Sequence, residues 1–376
     1  MISKHRHRSG FTIRDLLMLT FIVAALSFCL IPWGGMGHRE ASRRMQCSYN
    51  LKMIALAIHN YHDTYRHFPS PVFEADWGPG GVSGSKPYFS GVIELLPFLD
   101  EPEPDLFEQV MYPDRLGRPY LPPPSDKTFA PWQTTPYRLS CPTATDGRRG
   151  QGSTNYAFCL GDAAYDIHHM NPAQGDYAPG SRGAFAPGLS MEFRDIFDGT
   201  SNTIMFTEIG TAQSRYVPGQ FAVNLSSAVL DNPSLCLKTF EAAKPKNNKN
   251  RTYRRDVPLH DHGRGYSWAD GRAGPALVNT IFPPNGPSCA IGGTEGVDGF
   301  YSAGSYHPGG AQVAFMDGSV QFIPEDIDTG DLTQPPPKQG QYRFKPSISP
   351  YGVWGALGSR YGEEKVSRDF WKKDTK

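Results

Sequence analysis

From Leu16 to Ile31 the chain runs for sixteen residues without a charge. Counted from Phe11, the apolar segment is about 21 residues, or about 32 Å as a helix at 1.5 Å per residue, which matches the hydrocarbon core of a bilayer. The sequence therefore predicts an N-terminal transmembrane helix, with the membrane bilayer as its first partner. Lys4, Arg6, Arg8 and Arg14 favour a cytoplasmic N-terminus and a body on the far side; Arg39, Arg43 and Arg44 oppose that bias. An ordinary secretory leader carries its small-residue cleavage site after the apolar run. Here Ile31-Pro32-Trp33 follows the run, and the small residue, Gly10, precedes it.

The rest of the chain reads differently. Pro32, Gly34, Gly35 and Gly37 predict a break near residues 32–37. Beyond it Met45, Tyr49, Leu51, Ile54, Ala55, Ile58, Tyr61, Tyr65 and Phe68 recur at three- and four-residue intervals. That pattern is an amphipathic helix from about Ala41 to Arg66, ending before Pro69, with His59, His62 and His67 read as a solvated flank. Of 376 residues, 40 are Gly and 34 are Pro, which leaves little room for further long helices. Its 37 basic and 37 acidic residues cancel, so the chain lacks the net field that nucleic-acid binding draws on, and no nucleic-acid partner is expected.

After the helices, β signals dominate. The eleven prolines from Pro97 to Pro142 predict an extended loop region with few ladder hydrogen bonds. Asp-Gly pairs at Asp146, Asp198, Asp270, Asp298 and Asp317 read as tight turns. The last lies between two alternating runs, Gln312–Met316 and Ser319–Ile323, and predicts a hairpin on a two-residue turn. Thr203–Thr207 reads as a further strand, and Lys244–Arg255 as a basic surface loop.

Two groups of residues carry a resemblance. Ser9-Gly10-Phe11-Thr12-Ile13-Arg14-Asp15-Leu16-Leu17 resembles a type IV prepilin leader. The resemblance implies cleavage between Gly10 and Phe11 by a prepilin peptidase, which also methylates the new Phe11 amine. It implies a carboxylate at the fifth mature position that pairs with the N-terminal amine of a neighbouring subunit; Asp15 stands where the family usually has Glu. The second group is Arg43–Lys52, Ala57–Tyr65, Leu96–Asp100, Cys141-Pro142, Asn155-Tyr156, Asp198–Thr203, Pro283–Cys289, and His307 followed after nine residues by Asp317-Gly318. Together with the leader it resembles, over about Ser9 to Glu364, a large bacterial family of unknown function with a prepilin-type N-terminus and a C-terminal H-x9-DG signature. The stretch Trp33–Gly37 departs from the Ala-rich helix usual in that family. The resemblance implies residues 1–10 as a leader, 11–68 as the transmembrane and stalk helices, and 69–376 as a β-rich envelope domain. The fold class expected is α+β, pilin-like, with the helices packed on a loop-rich antiparallel β body.

The search for chemistry comes back thin. Gly265-Tyr266-Ser267-Trp268-Ala269 fails the nucleophile-elbow pattern at its last position, and no phosphate-binding glycine loop is found. His260-Asp261-His262 offers half a metal site with no third ligand nearby. No catalytic residue, metal or cofactor is expected. His307 and Asp317 read as structural: a residue orienting a returning chain, and a turn former. Five cysteines outside the apolar run, without a CxxC pair, fit an exported protein with disulfides. Cys236 and Cys289 form the first candidate bridge, Cys47 and Cys141 the second, with Cys159 free or competing. The function expected is a pilin-like or pseudopilin-like subunit that assembles with itself or with like subunits. The alternative is an anchored, non-enzymatic module binding an envelope sugar, peptide or other solute, with Trp77, Trp132, Trp268 and Trp354 as candidate groove residues.

Overall fold

The computed structural model describes residues 12–30, 35–74, 88–99, 105–118, 120–144, 152–167, 181–211, 214–241, 251–293, 298–338 and 346–364. The leader, Gly10, Phe11, Trp77, Asp146 and residues 32–34 of the expected break lie outside these, whereas residues 35–37 of that break are helical. The chain divides into two compact units, Met1–Ser42 and Arg43–Lys376.

In the first unit, helix α1 spans Ile13–Leu30. Thr12 caps it: the Thr12 N–H and hydroxyl donate to the Asp15 carboxylate at 3.0 and 2.7 Å, while the Asp15 N–H faces the Thr12 hydroxyl at 3.4 Å. This is a capping box with Asp in place of the usual Glu or Gln. Among the described residues, no helix is long and apolar enough to cross a membrane, so the expected transmembrane helix is not seen. The reason lies in the first turn. Arg14 and Asp15 are inside the helix, so within the described Ile13–Leu30 the uncharged part is Leu16–Leu30, about 22 Å against a hydrocarbon core of about 30 Å.

Helix α2, Gly35–Tyr65, begins six residues ahead of the predicted start. Within the second unit its buried side is Cys47, Asn50, Leu51, Ile54, Ala55, Ile58 and Tyr61, a stripe at helical spacing. Met45, Tyr49 and Tyr65, predicted to share that stripe, are exposed. His59 and His62 are not a solvated flank: His59 Nε2 lies 2.9 Å from the Met316 carbonyl, and both rings meet Phe193 edge-on.

Among the described residues, eleven short strands follow. Strands β1 (Val72–Glu74) and β2 (Tyr88–Ser90) form an antiparallel ribbon. Strands β3 (Tyr156–Cys159) and β4 (Ile204–Glu208) enter the main sheet. Strands β5 (Phe240–Glu241) and β6 (Thr252–Tyr253) form a second ribbon, which takes part of the expected basic loop into a sheet. Strand β7 (Leu277–Val278) returns to the main sheet, β8 (Cys289–Ala290) pairs with β9 (Gly299–Phe300), and β10 (Gly310–Phe315) and β11 (Val320–Pro324) close it. The order is β11-β10-β4-β3-β7. The sheet is mixed rather than antiparallel, because β7 runs parallel to β3.

Strands β3, β4 and β10 are buried along their whole length, so both faces are covered. Tyr156, Phe158, Phe206 and Ala314 join the core that includes the buried stripe of α2. Ala157, Cys159, Ile204, Val313 and Ile323 form the opposite core with Trp354 and Leu357 of the C-terminal helix Gly352–Gly358. The hairpin between β10 and β11 forms, but on a different turn. Gly318 N–H donates to the Phe315 carbonyl (2.8 Å), Gly318 takes φ +81°, and the Asp317 carboxylate accepts the Ser319 N–H at 2.9 Å. Asp317 stays at negative φ, so this is a three-residue loop with a glycine bulge, not a two-residue primed turn.

The proline-rich region is not extended. It folds into short helical turns, Asp105–Met111, Pro113–Leu116, Ala130–Gln133 and Tyr137–Leu139, with Pro113 and Pro131 in the first turn, where a missing N–H costs nothing.

Glu94, in the short helix Val92–Leu95, gives the first testable consequence. Tyr61 donates to its carboxylate at 3.3 Å. Burial raises the Glu94 pKa above its ordinary 4.5, against the hydrogen bonds of Tyr61 and Ser70 that lower it. The folded state therefore holds a proton that the unfolded state gives up, and stability falls as pH rises from about 4.5 through the folded value. Glu94→Gln removes that loss. Urea unfolding across pH 3–8 should show the variant gaining on the wild type as pH rises; a pH-independent difference would contradict the assignment.

Candidate functional site

His307 is buried at the end of a loop, three residues before β10. Its N–H donates to the Ser305 hydroxyl (3.1 Å), and the Ser305 N–H donates to Asn285 Oδ1 (2.8 Å). The imidazole Nε2 lies 3.6 Å from Glu208 Oε1. Glu208 is the last residue of β4 and pairs with Tyr156. Alternation along a strand sends Glu208 to the same face as Phe206, toward α2. Its other oxygen accepts the Gln312 N–H at 2.8 Å. Burial raises the Glu208 pKa, and the neighbouring His307, the Gln312 N–H, the Ser305 hydroxyl and Arg44 oppose that rise.

The cysteines complete the cluster. Cys47 of α2 is joined to Cys141, with Cα atoms 5.3 Å apart. Cys141 Sγ lies 3.9 Å from Glu208 Oε1 and 3.9 Å from His307 Nε2. One ligand-type atom from each of Cys47, Cys141, Glu208 and His307 lies within 4.8 Å of all the others, and all four residues are buried. The shell is ordered. Asn155 Oδ1 accepts the Cys141 N–H (2.9 Å), and Asn155 also bonds the chain on both sides, to Leu139 and Ile209. The Tyr156 hydroxyl donates to the Cys47 carbonyl (3.3 Å), and Asn50 Nδ2 donates to the Ser140 carbonyl (2.9 Å).

His307 and Asp317 do not meet. They flank β10 at opposite ends, and each end docks on α2. Arg44 donates to the Pro308 carbonyl (3.4 Å) and lies 4.2 Å above the Phe322 ring; His59 contacts Met316 beside the turn. Arg44 to His59 spans about 22 Å of helix, and Pro308 to Met316 about 26 Å of strand. The nine-residue spacing is thus the length of chain that lies along α2.

The remaining sequence candidates separate. Asp15 is engaged in the α1 cap. Cys236 and Cys289 are joined, with Cα atoms 6.1 Å apart. Cys159 carries a free thiol, which burial pushes up to about 12, so it is held as an inert thiol. His260 and His262 do not share a strand face: His260 Nδ1 accepts the N–H groups of His262 and Gly263 at 3.2 and 2.9 Å, and its ring stacks on Phe221. Trp132, Trp268 and Trp354 are core residues whose indole N–H groups donate to the carbonyls of Pro122, Thr134 and Phe282. Sequence reasoning missed Glu208, which stands one residue beyond the predicted strand Thr203–Thr207, and missed that Cys47, Cys141 and His307 share one site.

Residues 37–330 match the model of a family described as "Protein of unknown function (DUF1559)". The chain belongs to this family. The matched region contains all four residues of the buried cluster, both cross-links and the β10–β11 hairpin. No curated protein matches the chain, and no solved structure does.

Proposed function

We propose that this DUF1559 protein is a pilin-like or pseudopilin-like structural subunit, without catalytic activity, that assembles in the cell envelope through α1 and displays its β-rich body. The observation that carries the reading is α1 itself. Ile13, Leu16, Leu17, Met18, Leu19, Phe21, Ile22, Val23 and Leu26 are each at least half exposed and lie on all sides of the helix. A helix apolar all round is a helix meant to be surrounded. The occupant we commit to is the same helix of neighbouring copies, packed side by side.

Two further points support the reading. The Ser9–Leu17 segment resembles a prepilin leader, which adds cleavage after Gly10 and methylation of Phe11 by a prepilin peptidase. Two disulfides belong to an oxidising compartment, which suits a body outside the cytoplasm. In the assembled form Asp15 would exchange part of its bond to Thr12 for a neighbour's N-terminal amine, a charge-assisted contact.

Mass spectrometry of protein isolated from cell envelopes should find a chain that begins at a methylated Phe11, and amine cross-linking should give a ladder of homo-oligomers. A chain that keeps its leader and cross-links only as a monomer would overturn the proposal.

A further inference from the structure

We propose that Cys47, Cys141, Glu208 and His307 form a zinc site when the two cysteines are reduced, and that the Cys47–Cys141 bridge is the metal-free, oxidised form of that site. The inference does not rest on the assembly reading. It starts from the donor set. Two sulfurs, one imidazole nitrogen and one carboxylate oxygen, from four separate segments of chain, lie within 4.8 Å of one another. Two thiolates with a histidine and a carboxylate are ligands that Zn²⁺ takes in tetrahedral geometry.

The distances fit. Zinc bonds of about 2.3 Å to sulfur and about 2.0–2.2 Å to nitrogen and oxygen imply tetrahedral edges of about 3.3–3.8 Å. Cys141 Sγ stands 3.9 Å from both Glu208 Oε1 and His307 Nε2, and those two atoms are 3.6 Å apart. Three edges are therefore already close to length around an ion at the centre. The fourth ligand, Cys47 Sγ, has only to part from Cys141 Sγ.

The surroundings also behave as support for ligands. Glu208 Oε2 is occupied by the Gln312 N–H, which directs Oε1 to the cluster. The Thr143 hydroxyl lies 2.8 Å from Cys141 Sγ, placed to donate to a thiolate. Asn155 fixes the Cys141 backbone, and Tyr156 fixes that of Cys47. Such outer contacts orient ligands and hold their charge.

The chemistry balances with a dithiol as reductant. The Cys47–Cys141 bond accepts two electrons and two protons from the dithiol, which becomes a disulfide. Zn²⁺ then displaces both thiol protons and takes two thiolates, His307 Nε2 and Glu208 Oε1. Reoxidation by a disulfide of exchange-catalyst type reverses the electron count and releases the ion.

The test uses the full chain in detergent and Co²⁺ as a spectroscopic probe, with and without a non-thiol phosphine reductant. The reduced wild type should take up one Co²⁺ per chain that Zn²⁺ displaces, with sulfur-to-cobalt charge transfer and the intense visible bands of tetrahedral coordination. The oxidised protein should show neither. Glu208→Ala and His307→Ala should weaken binding by about tenfold or more. His307→Cys adds a third thiolate, so it should strengthen the charge-transfer band while keeping one Co²⁺ per chain. No tetrahedral spectrum in the reduced wild type, the same spectrum in oxidised protein, or an unchanged His307→Cys spectrum would each overturn the site.

Discussion

Replacing Cys47 and Cys141 together by serine is expected to lower the unfolding free energy by about 3–5 kcal/mol in metal-free, non-reducing buffer. The bridge joins positions 94 apart in sequence and ties α2 to the short turns that precede β3. A cross-link over so long a loop removes many conformations from the unfolded chain, and the chain-entropy argument puts closure of about 100 residues near 4.7 kcal/mol. The substituted side chains are buried, so two hydroxyls must also find partners beside Glu208 and His307. Urea denaturation of the double variant should show a lower midpoint and a steeper dependence, since the freed unfolded chain exposes more surface. A loss below about 1 kcal/mol would mean that the unfolded state gains nothing from the missing link.

The second large effect is at Arg182. Its Nε donates to the fully buried Asp162 at 2.6 Å, one Nη donates to the Ser347 carbonyl at 2.6 Å, and the other reaches the Ser347 hydroxyl. Nearby, Arg360 donates to the carbonyls of Gly183 (2.6 Å) and Ser181 (2.9 Å), and its own N–H donates to the Arg182 carbonyl (2.9 Å). Together they bind residues 346–364 to the loop after β3. Arg182→Ala leaves the Asp162 carboxylate buried without its cation, and such a break costs about 3–5 kcal/mol. Removing both partners should cost less than the sum of the single changes, because no charge is then stranded. Thermal unfolding of the two single variants and the double variant reads this directly; strict additivity would show that the pair is not coupled.

Much of the body was legible in the sequence. The β10–β11 hairpin announced itself through alternation around Asp317-Gly318, and β4 through Thr203–Thr207. What stayed hidden has physical causes. The turn type was missed because Asp-Gly serves both primed turns and glycine bulges, and only φ separates them. The parallel strand β7 has two residues, Leu277 and Val278, too few for any period to register. The transmembrane expectation counted Arg14 and Asp15 into a 21-residue apolar segment, and in the structure both stand inside the first turn of α1, behind the Thr12 cap. The proline-rich segment was read as extended because proline breaks ladders, but proline also opens helical turns.

The buried cluster was half legible. Cys47, Cys141 and His307 each sat in a stretch that carried the family resemblance, and the cysteines were already a candidate pair. Nothing in linear order brings Cys47, Cys141, Glu208 and His307 together; the sheet does. Strand β4 carries Glu208 to the face that α2 covers, and β10 lays the chain from His307 to Asp317 along the same helix.

The most direct test of the assembly proposal is one charge in α1. Ile22 is half exposed and belongs to the unit that ends at Ser42, so Ile22→Asp should leave the thermal unfolding of the body unchanged. The account predicts that cross-linking in cell envelopes then yields monomer where the wild type yields a ladder. A variant that still forms the full ladder would contradict assembly through α1.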